Sequence, residues 1–272
     1  MSELEPEVGA RELPAEVAAL REEVIEEHGL LDAALQPNID ARIDAHAREV
    51  ELVIDMHRRV TDRTDLEIRA DTRWSAIWEL SGRCLAICRV VLHNLRGGFT
   101  SEAVGSLRTL FEATELLGAV AFHEEEELLR RWLADERWVR PWEARAAVGR
   151  KEALARERME AEGLEPPERG AVEVGGEIYD LLSRPAHNRR GGSPETISVP
   201  LREFTYGPHP NAERRALHVA YAEQLIETAL LVVIDSVSDI VGREYARDAL
   251  PAMKARLDQA RDQFPFPGEV DE

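Results

Sequence analysis

The sequence predicts an all-α fold, a multi-helix bundle with peripheral helices and one long irregular loop. Alanine, leucine, glutamate and arginine dominate the 272 residues, and these residues favour helices over strands. Apolar residues recur at helical spacing along several long segments. Glycine and proline gather at a few points between those segments, where helices can end. Together these three observations indicate a chain that is almost entirely helical.

The first elements are expected at the edge of the fold. Residues 1–35 should form a tail and a peripheral helix, which Pro14 opens and Gly29 can close. A single helical-bundle domain then spans residues 36–264. Its first helix should run from about Ile39 to Arg63. The apolar side of that helix carries Ile43, Val50, Val53, Ile54 and Met56.

Two helices are predicted to form the centre of the core. Thr64 and Glu67 have the spacing of a capping box, so a helix should begin there. Its apolar stripe continues for about eight turns until Gly97-Gly98 stops it, and the next helix begins near Thr100. The two glycines therefore predict a tight antiparallel helical hairpin.

A charged helical excursion is predicted at about residues 143–168, after an interruption at Pro141. Its later part has almost no apolar face, so we expect it to project into solvent or to meet a partner. A further helix should run from Arg169 or Ala171 to Ser183, with Gly175-Gly176 weakening its middle.

The long irregular loop spans residues 188–210 and contains a short β-like string from Thr196 to Val199. A loop of this length in a compact protein is usually functional or disordered. Asn211 can cap a buried helix that ends near Gly242, and a last charged helix follows it. Residues 265–272 should form a C-terminal tail.

The charge and the start of the chain predict a cytoplasmic protein. A formal charge of −19 favours solubility and repels nucleic acid and anionic membranes over most of the surface. The acidic segment from Ser2 to Glu7 lacks the basic and apolar regions of a secretory signal. The most apolar stretch, Leu217 to Val241, is interrupted by Glu223, Glu227 and Asp235, so we expect a buried core helix and no membrane partner.

The sequence lacks the spacing signatures of several cofactor and metal chemistries. It contains no Gly-x-Gly-x-x-Gly, no Walker-type loop, no His-Glu-x-x-His and no Gly-x-Ser-x-Gly. None of the eight histidines follows an acid by three residues, as the di-iron sites of helical bundles require. We therefore predict no metal and no cofactor. Cys84 and Cys88 are expected to be small core residues of a reduced protein.

Hydroxyl, imidazole and guanidinium groups are concentrated at the predicted end of one helix. Tyr179, Ser183 and His187 are spaced four apart, so a continuous helix would stack them on one face. Pro185 should kink or end that helix at Arg184. His187 would then lie just past the helix end, where the free carbonyls favour its protonated form.

This region is basic within an acidic protein. From Leu181 to Arg202 there are four arginines and one acid. Arg184, Arg189 and Arg190, beside a protonated His187, suit the binding of a phosphate or carboxylate. The candidate ligand is RNA or another phosphate-bearing molecule. The alternative is that His187 caps the helix carbonyls and the arginines only keep the surface soluble.

A second group of charged side chains lies on an apolar helix. Arg108 and Glu112 are one turn apart, and Glu115 follows on the same helix. They could form a partly buried ion pair that fixes packing, or hold an arginine toward a ligand. Glu79 and Arg83 repeat the arrangement on the preceding helix. If these groups face the basic region across the bundle, a polar pocket in an apolar core results.

Two short motifs resemble an all-helical bacterial family of unknown function that is distantly similar to HEPN domains. They are Arg108-Thr109-Leu110-Phe111-Glu112 and Tyr179-Asp180-Leu181-Leu182-Ser183 followed by His187, and the resemblance covers about residues 65–240. HEPN proteins are helical bundles that dimerise, and many are ribonucleases of toxin or antiphage systems. The resemblance therefore implies a bacterial defence or stress setting and a homo-oligomer.

The resemblance also implies roles for individual residues. It makes His187 a candidate general acid or base, Arg184 a phosphate contact, and Ser183 a polar neighbour in the same catalytic group. The ribonucleases place four to six residues between arginine and histidine, whereas two separate Arg184 from His187. We therefore expect binding of an anionic ligand or partner rather than catalysis. The alternative is a metal-independent ribonuclease or nucleotide-acting enzyme that uses His187 and Arg184. The expected ligand-binding residues are Tyr179, Arg189, Arg190, Arg108 and Glu112.

Overall fold

The protein has an all-α fold, as the sequence predicts. The computed structural model describes residues 33–59, 72–122, 126–134, 139–166, 171–186, 197–198, 203–204, 212–238 and 243–266. Within these ranges the helices are α1 (33–59), α2 (Thr72–Arg96), α3 (Thr100–Phe122), α4 (Glu126–Ala134), α5 (Pro141–Ala161), α6 (Ala171–Ala186), α7 (Ala212–Ser236) and α8 (Arg243–Gln263). Strand β1 (Ile197–Ser198) pairs antiparallel with β2 (Glu203–Phe204), which confirms part of the predicted β-like string.

The hairpin of α2 and α3 confirms the predicted centre of the core. Gly98 adopts a φ of 75°, a left-handed conformation that glycine enters without strain. The Gly98 amide donates to the Leu95 carbonyl at 2.9 Å, and the Phe99 amide donates to the Asn94 carbonyl at 2.8 Å. Helix α3 begins at Thr100 and packs along α2. The turn therefore reverses the chain between two long helices.

Helices α1, α2, α3 and α7 form a four-helix bundle. Both α2 and α3 pack against α7. Helix α1 completes the bundle, because its Glu51 accepts a hydrogen bond from Arg89 of α2 at 2.6 Å and its Arg42 donates to Glu223 of α7 at 2.8 Å. The interior is aliphatic, and burying one such side chain contributes roughly 1.5–3 kcal/mol. Its most deeply buried members include Ile39, Ile43, Leu80, Leu107, Leu110, Leu117, Ile226 and Leu230.

Helix α7 is a core helix, as its interrupted apolar run predicts. By length and composition alone it could cross a membrane. One of its faces is nevertheless buried in the bundle along its whole length, from Ala212 to Ser236. On that face the buried Glu223 pairs with Arg42 of α1. The acids that interrupt the apolar run thus include one that joins two core helices.

The remaining helices lie around the bundle. Helices α4, α5 and α6 pack against α3. Helix α5 starts at Pro141, and its later part is mostly exposed until Gly163, with a φ of 73°, ends it. Helix α8 packs against α7 and is tied to α1, where Arg256 donates to Glu49 at 2.6 Å and 2.8 Å. A small second apolar cluster beside α3 consists of Ala119, Leu128, Val139, Ala144 and Ala147.

Two predicted helix ends are wrong. Helix α1 includes residue 33, well before Ile39, because Leu35 extends its buried face by one turn. Helix α6 continues through Arg184 and Pro185 to Ala186, so it does not end at Arg184. Pro185 stands one residue before the last helical residue, so its missing amide removes a single hydrogen bond of the last turn.

Several predicted features lie outside the described residues. They are the helix between Pro14 and Gly29, the capping box at Thr64 and Glu67, most of the loop at 188–210, and the helix ends at Asn211 and Gly242.

Candidate functional site

The candidate site lies where α6 meets α3 and α5. A Cβ atom at Gly175 of α6 would lie 3.3 Å from Phe111 Cζ and 3.4 Å from Glu115 Oε1 of α3. Because glycine has no side chain, the α6 backbone can approach α3 this closely. Gly175 therefore serves close packing, whereas the sequence suggested only a weak point in the helix.

Arg108 joins α3 to the hydroxyl group of Tyr179 on α6. Its Nη2 donates to the tyrosine oxygen at 2.7 Å, and its Nε donates to Glu112 Oε1 at 3.1 Å. The guanidinium carbon of Arg108 also lies 4.9 Å from the centre of the Tyr179 ring. Since the tyrosine oxygen accepts a hydrogen bond here, its own proton can still be donated to another acceptor.

Arg145 of α5 approaches the same aromatic ring. Its guanidinium carbon lies 4.8 Å from the ring centre of Tyr179 and 5.5 Å from that of Phe111. Its Nε and Nη2 donate to the two carboxylate oxygens of Glu115 at 2.7 Å and 3.0 Å. Cation–π contacts of this kind contribute about 0.5–2 kcal/mol, more where water is excluded. We name the five residues Arg108, Glu112, Glu115, Arg145 and Tyr179 the arginine–tyrosine cluster.

The cluster pairs two cations with two carboxylates and is partly shielded from water. The four charged side chains are between 14% and 22% exposed. Burial raises the pKa of Glu115, an effect that Arg145 opposes and Glu112 reinforces. The hydrogen bonds to Glu115 raise the pKa of Arg145, so this guanidinium is charged at every physiological pH. The cluster therefore keeps two charged arginines against one tyrosine.

Ser183 follows Tyr179 by one helical turn on α6. It is buried, and within the described residues its hydroxyl oxygen has no hydrogen-bond partner. An unsatisfied buried hydroxyl costs about 1–3 kcal/mol. A ligand group that reached Ser183 could recover this cost by forming the missing hydrogen bond.

The structure brings together three of the predicted ligand-binding residues, Arg108, Glu112 and Tyr179. Ser183, predicted as a member of the catalytic group, lies one turn further along α6. The other predicted residues are not described at side-chain level. They are Arg184, His187, Arg189 and Arg190.

Arg145 is the cluster residue that the sequence did not reveal. The signal available was the pair Ala144 and Ala147, which are buried on α5 and place Arg145 beside a small apolar face in a helix that is otherwise rich in charged residues. Glu79 and Arg83 lie on the exposed side of α2. They therefore do not belong to the arginine–tyrosine cluster.

The described residues show neither a metal site nor a reactive thiol. Among them, no group of three or more His, Cys, Asp or Glu side chains could hold a metal ion. Cys84 and Cys88 are free and buried. Burial raises the pKa of Cys84 to about 11 and also raises that of Cys88. Both thiols are thus protonated at neutral pH, the form that does not act as a nucleophile.

A second charged cluster joins α1, α7 and α8. Arg42 and Glu223 are buried and share two contacts. His46 Nδ1 lies 3.0 Å from the Arg42 carbonyl oxygen, and its Nε2 lies 3.3 Å from Glu227 Oε1. Arg261 of α8 contacts both glutamates. Burial lowers the pKa of His46, against the attraction of Glu223. Because these groups satisfy one another, we interpret this cluster as packing that fixes α8.

Comparison with known proteins gave no match at any level. No protein-family model, no curated protein and no solved structure matches the chain. The arginine–tyrosine cluster must therefore be interpreted from its own chemistry, and the resemblance to HEPN domains stays a prediction.

Proposed function

We propose that this chain is a HEPN-like helical protein of a bacterial defence or stress system that binds an anionic ligand in the cytoplasm. The observation that carries the proposal is the convergence of Arg108 and Arg145, from two different helices, on Tyr179 of α6. The ligand is a phosphate-bearing molecule such as RNA. Binding, rather than catalysis, is the role that these groups fit best.

In the proposed site, the arginine–tyrosine cluster and the basic residues that follow Ser183 in the sequence have different roles. Each cluster arginine is neutralised by a glutamate, so the cluster fixes geometry and adds little net charge. The Tyr179 proton and the Ser183 hydroxyl are the donors that a phosphate oxygen could meet. Arg184, His187, Arg189 and Arg190, which follow in the sequence, supply the long-range attraction. Binding should accordingly weaken as salt concentration rises.

The Tyr179→Phe variant tests the proposal, because it removes the hydroxyl group and keeps the ring between the arginines. A hydrogen bond to a charged group is worth about 1.5–3 kcal/mol, so we expect the Kd to rise roughly 10- to 100-fold. The measurement is fluorescence anisotropy of a short 5′-phosphorylated oligoribonucleotide at low salt, with inorganic phosphate as competitor. Tyr221→Phe, at an exposed tyrosine on α7, is the matched control and should bind like the original protein.

Two further outcomes decide between binding, catalysis and simple packing. If Tyr179→Phe lowers the free energy of unfolding and leaves the Kd unchanged, the cluster only holds helices together and the proposal is wrong. If the original protein cleaves the oligoribonucleotide and His187→Ala does not, the alternative of a metal-independent ribonuclease replaces the binding role. The double variant Arg189→Ala/Arg190→Ala should reduce the salt dependence, whereas Arg58→Ala at an exposed ion pair on α1 should not.

A further inference from the structure

The first turn of α5 presents an exposed tryptophan to solvent. Trp142 is 56% exposed, and of the large apolar side chains that the structure describes none is more exposed. The guanidinium carbon of Arg140 lies 4.8 Å from the centre of the Trp142 ring. The guanidinium covers one face of the indole, and a ring so exposed still offers a large flat area to a second planar group. Tryptophan in this setting is typical of a contact surface.

Arg140 is a cation without an acidic partner. No side chain among the described residues forms an ion pair with it. The acid nearest in the sequence, Glu143, is engaged elsewhere, because its two carboxylate oxygens accept hydrogen bonds from Arg131 at 3.1 Å and 3.0 Å. Glu143 also accepts the Arg140 amide at 2.9 Å, so it caps this helix end. The guanidinium of Arg140 therefore stays available to an anion.

The exposed indole lies beside the arginine–tyrosine cluster. Trp142 and Arg145 are three residues apart on α5, which places them about 60° apart around the helix and about 5–6 Å apart at their Cβ atoms. Arg145 in turn contacts the ring of Tyr179. Ala144 and Ala147 point into the protein, and helical spacing turns Trp142 away from them. The indole thus stands on the solvent side of the cluster, one helical turn from Arg145.

The two neighbouring features suit different parts of one ligand. The donors at Tyr179 and Ser183 suit a phosphate oxygen, as proposed above, whereas an exposed indole suits a flat ring. Unpaired nucleobases stack on aromatic side chains, and they do so with little dependence on the base, because every base has a π face. A molecule that carries both a phosphate and such a ring is a nucleotide.

We propose that Trp142 and Arg140 form a nucleobase subsite, in which an unpaired base stacks on the indole while its phosphate lies at the arginine–tyrosine cluster. This inference rests on the proposed function and narrows its ligand to a nucleotide or a single-stranded nucleic acid. Inorganic phosphate and sugar phosphates fill only the phosphate position. Paired bases in a duplex are already stacked on one another, so a duplex cannot use the indole.

A pair of ligands that differ only in the base tests the subsite. The original protein should bind adenosine 5′-monophosphate more tightly than ribose 5-phosphate, as measured by isothermal titration calorimetry at low salt. Trp142→Leu should raise the Kd for adenosine 5′-monophosphate roughly 5- to 150-fold, the usual contribution of one stacked base, and should leave the Kd for ribose 5-phosphate unchanged. Tyr221→Leu, at a 44% exposed ring on α7, is the matched control and should bind both ligands like the original protein.

Two further variants separate stacking from phosphate binding. Trp142→Phe keeps a smaller aromatic ring, so its Kd for adenosine 5′-monophosphate should lie between those of the original protein and Trp142→Leu. Adenosine 5′-monophosphate should quench the tryptophan fluorescence of the original protein, and Trp142→Phe should lose this quenching, because the other tryptophans that the structure describes are less exposed. Tyr179→Phe should weaken both ligands, since it removes a donor to the phosphate.

The failure of the subsite can be told apart from the failure of the phosphate site. Equal affinity of the original protein for the two ligands, or an unchanged Kd for adenosine 5′-monophosphate in Trp142→Leu, would overturn the subsite and leave the proposed function standing. Equal weakening of both ligands in Trp142→Leu would show that the indole supports the fold of α5 and contacts no base. If the original protein binds neither ligand, the subsite and the proposed function are both wrong.

Discussion

Gly175 sets how closely α6 approaches α3, and its neighbour Gly176 provides a comparison within one helix. A Cβ at Gly175 would lie 3.3 Å from Phe111, tighter than an ordinary contact, and 3.4 Å from Glu115, whereas a Cβ at Gly176 would have nothing within 4 Å. Two adjacent glycines therefore serve different purposes. The first permits the approach that builds the arginine–tyrosine cluster, and the second only costs helix stability.

We predict different effects on stability for alanine at these two positions. Gly176→Ala should raise the free energy of unfolding by about 0.5–1 kcal/mol, the usual gain in helix propensity. The free energy of unfolding of Gly175→Ala should be at least about 1 kcal/mol lower than that of Gly176→Ala, because Phe111 and Glu115 must shift to make room for the new methyl group. Urea unfolding of both variants measures the difference. Equal gains would show that α6 can move away from α3 without cost.

His57 of α1 makes stability depend on pH. Its ring stacks on Trp78 with ring centroids 3.4 Å apart, and its Nε2 donates to the Trp78 carbonyl at 3.2 Å. Burial lowers its pKa from 6.5 to about 4. As the pH falls below the unfolded value, the unfolded chain takes up the proton first. The stability that neutral His57 contributes is therefore present above about pH 6.5 and lost toward pH 4.

The His57→Phe variant tests this pH dependence, since it keeps a stacked ring without a titrating group. We expect the free energy of unfolding of the original protein to fall by up to about 1.4 kcal/mol per pH unit from this residue. The free energy of unfolding of the variant should fall less steeply over the same pH range. A smaller slope remains from His46, because burial lowers the pKa of that histidine as well. Urea titrations at several pH values measure both slopes, and identical slopes would exclude His57 as their source.

At the scale of elements, helix ends follow local rules and helix contacts do not. Gly97 and Gly98 stop α2 where the sequence indicates, because a left-handed turn is a property of a few adjacent residues. The sequence did not predict that α6 continues through Pro185. The helix tolerates the proline because one lost backbone hydrogen bond matters less near a helix end than in its middle. The contact of α3 with α6 depended on Gly175 meeting Phe111, residues far apart in the sequence.

The ion pair of Arg42 and Glu223 carries a prediction at this scale, because it joins α1 to α7. Removing Arg42 leaves the buried Glu223 without its closest partner and with only the longer contact to Arg261 at 3.9 Å, and the loss of one member of a buried ion pair costs up to about 3–5 kcal/mol. We expect Arg42→Met to lose stability in this range, and Arg42→Met/Glu223→Met to recover most of the loss. Arg261 would not be stranded in the double variant, since it also contacts Asp258 and Glu227.

Urea unfolding of the single and double variants measures this coupling. Arg58→Met, in an exposed ion pair with Asp55, is the control and should change stability by no more than about 1 kcal/mol. A double variant as unstable as Arg42→Met would show that the pair itself, and not the unpaired charge, stabilises the contact of α1 with α7.

At the scale of the whole molecule, the periodicity of apolar residues determined the fold class and the central hairpin. The acids that interrupt the apolar run of α7 placed that helix in the core. Arg108, Glu112 and Tyr179 were recognisable as candidates, because polar groups on an otherwise apolar helix are costly unless paired. The sequence could not show that they meet, since the two helices are about 70 residues apart in the chain.

The tertiary structure decided which charges on different helices are partners. It added Arg145 to the arginine–tyrosine cluster, separated Glu79 and Arg83 from it, and revealed a buried charged cluster around Arg42 that the sequence did not indicate. The physical reason is the separation in sequence between the residues that each kind of interaction joins. Helix formation and helix ends depend on residues within a turn or two, which the sequence displays directly. Ion pairs between helices and ring contacts depend on how whole helices pack, and packing is set by the sum of many distant side chains.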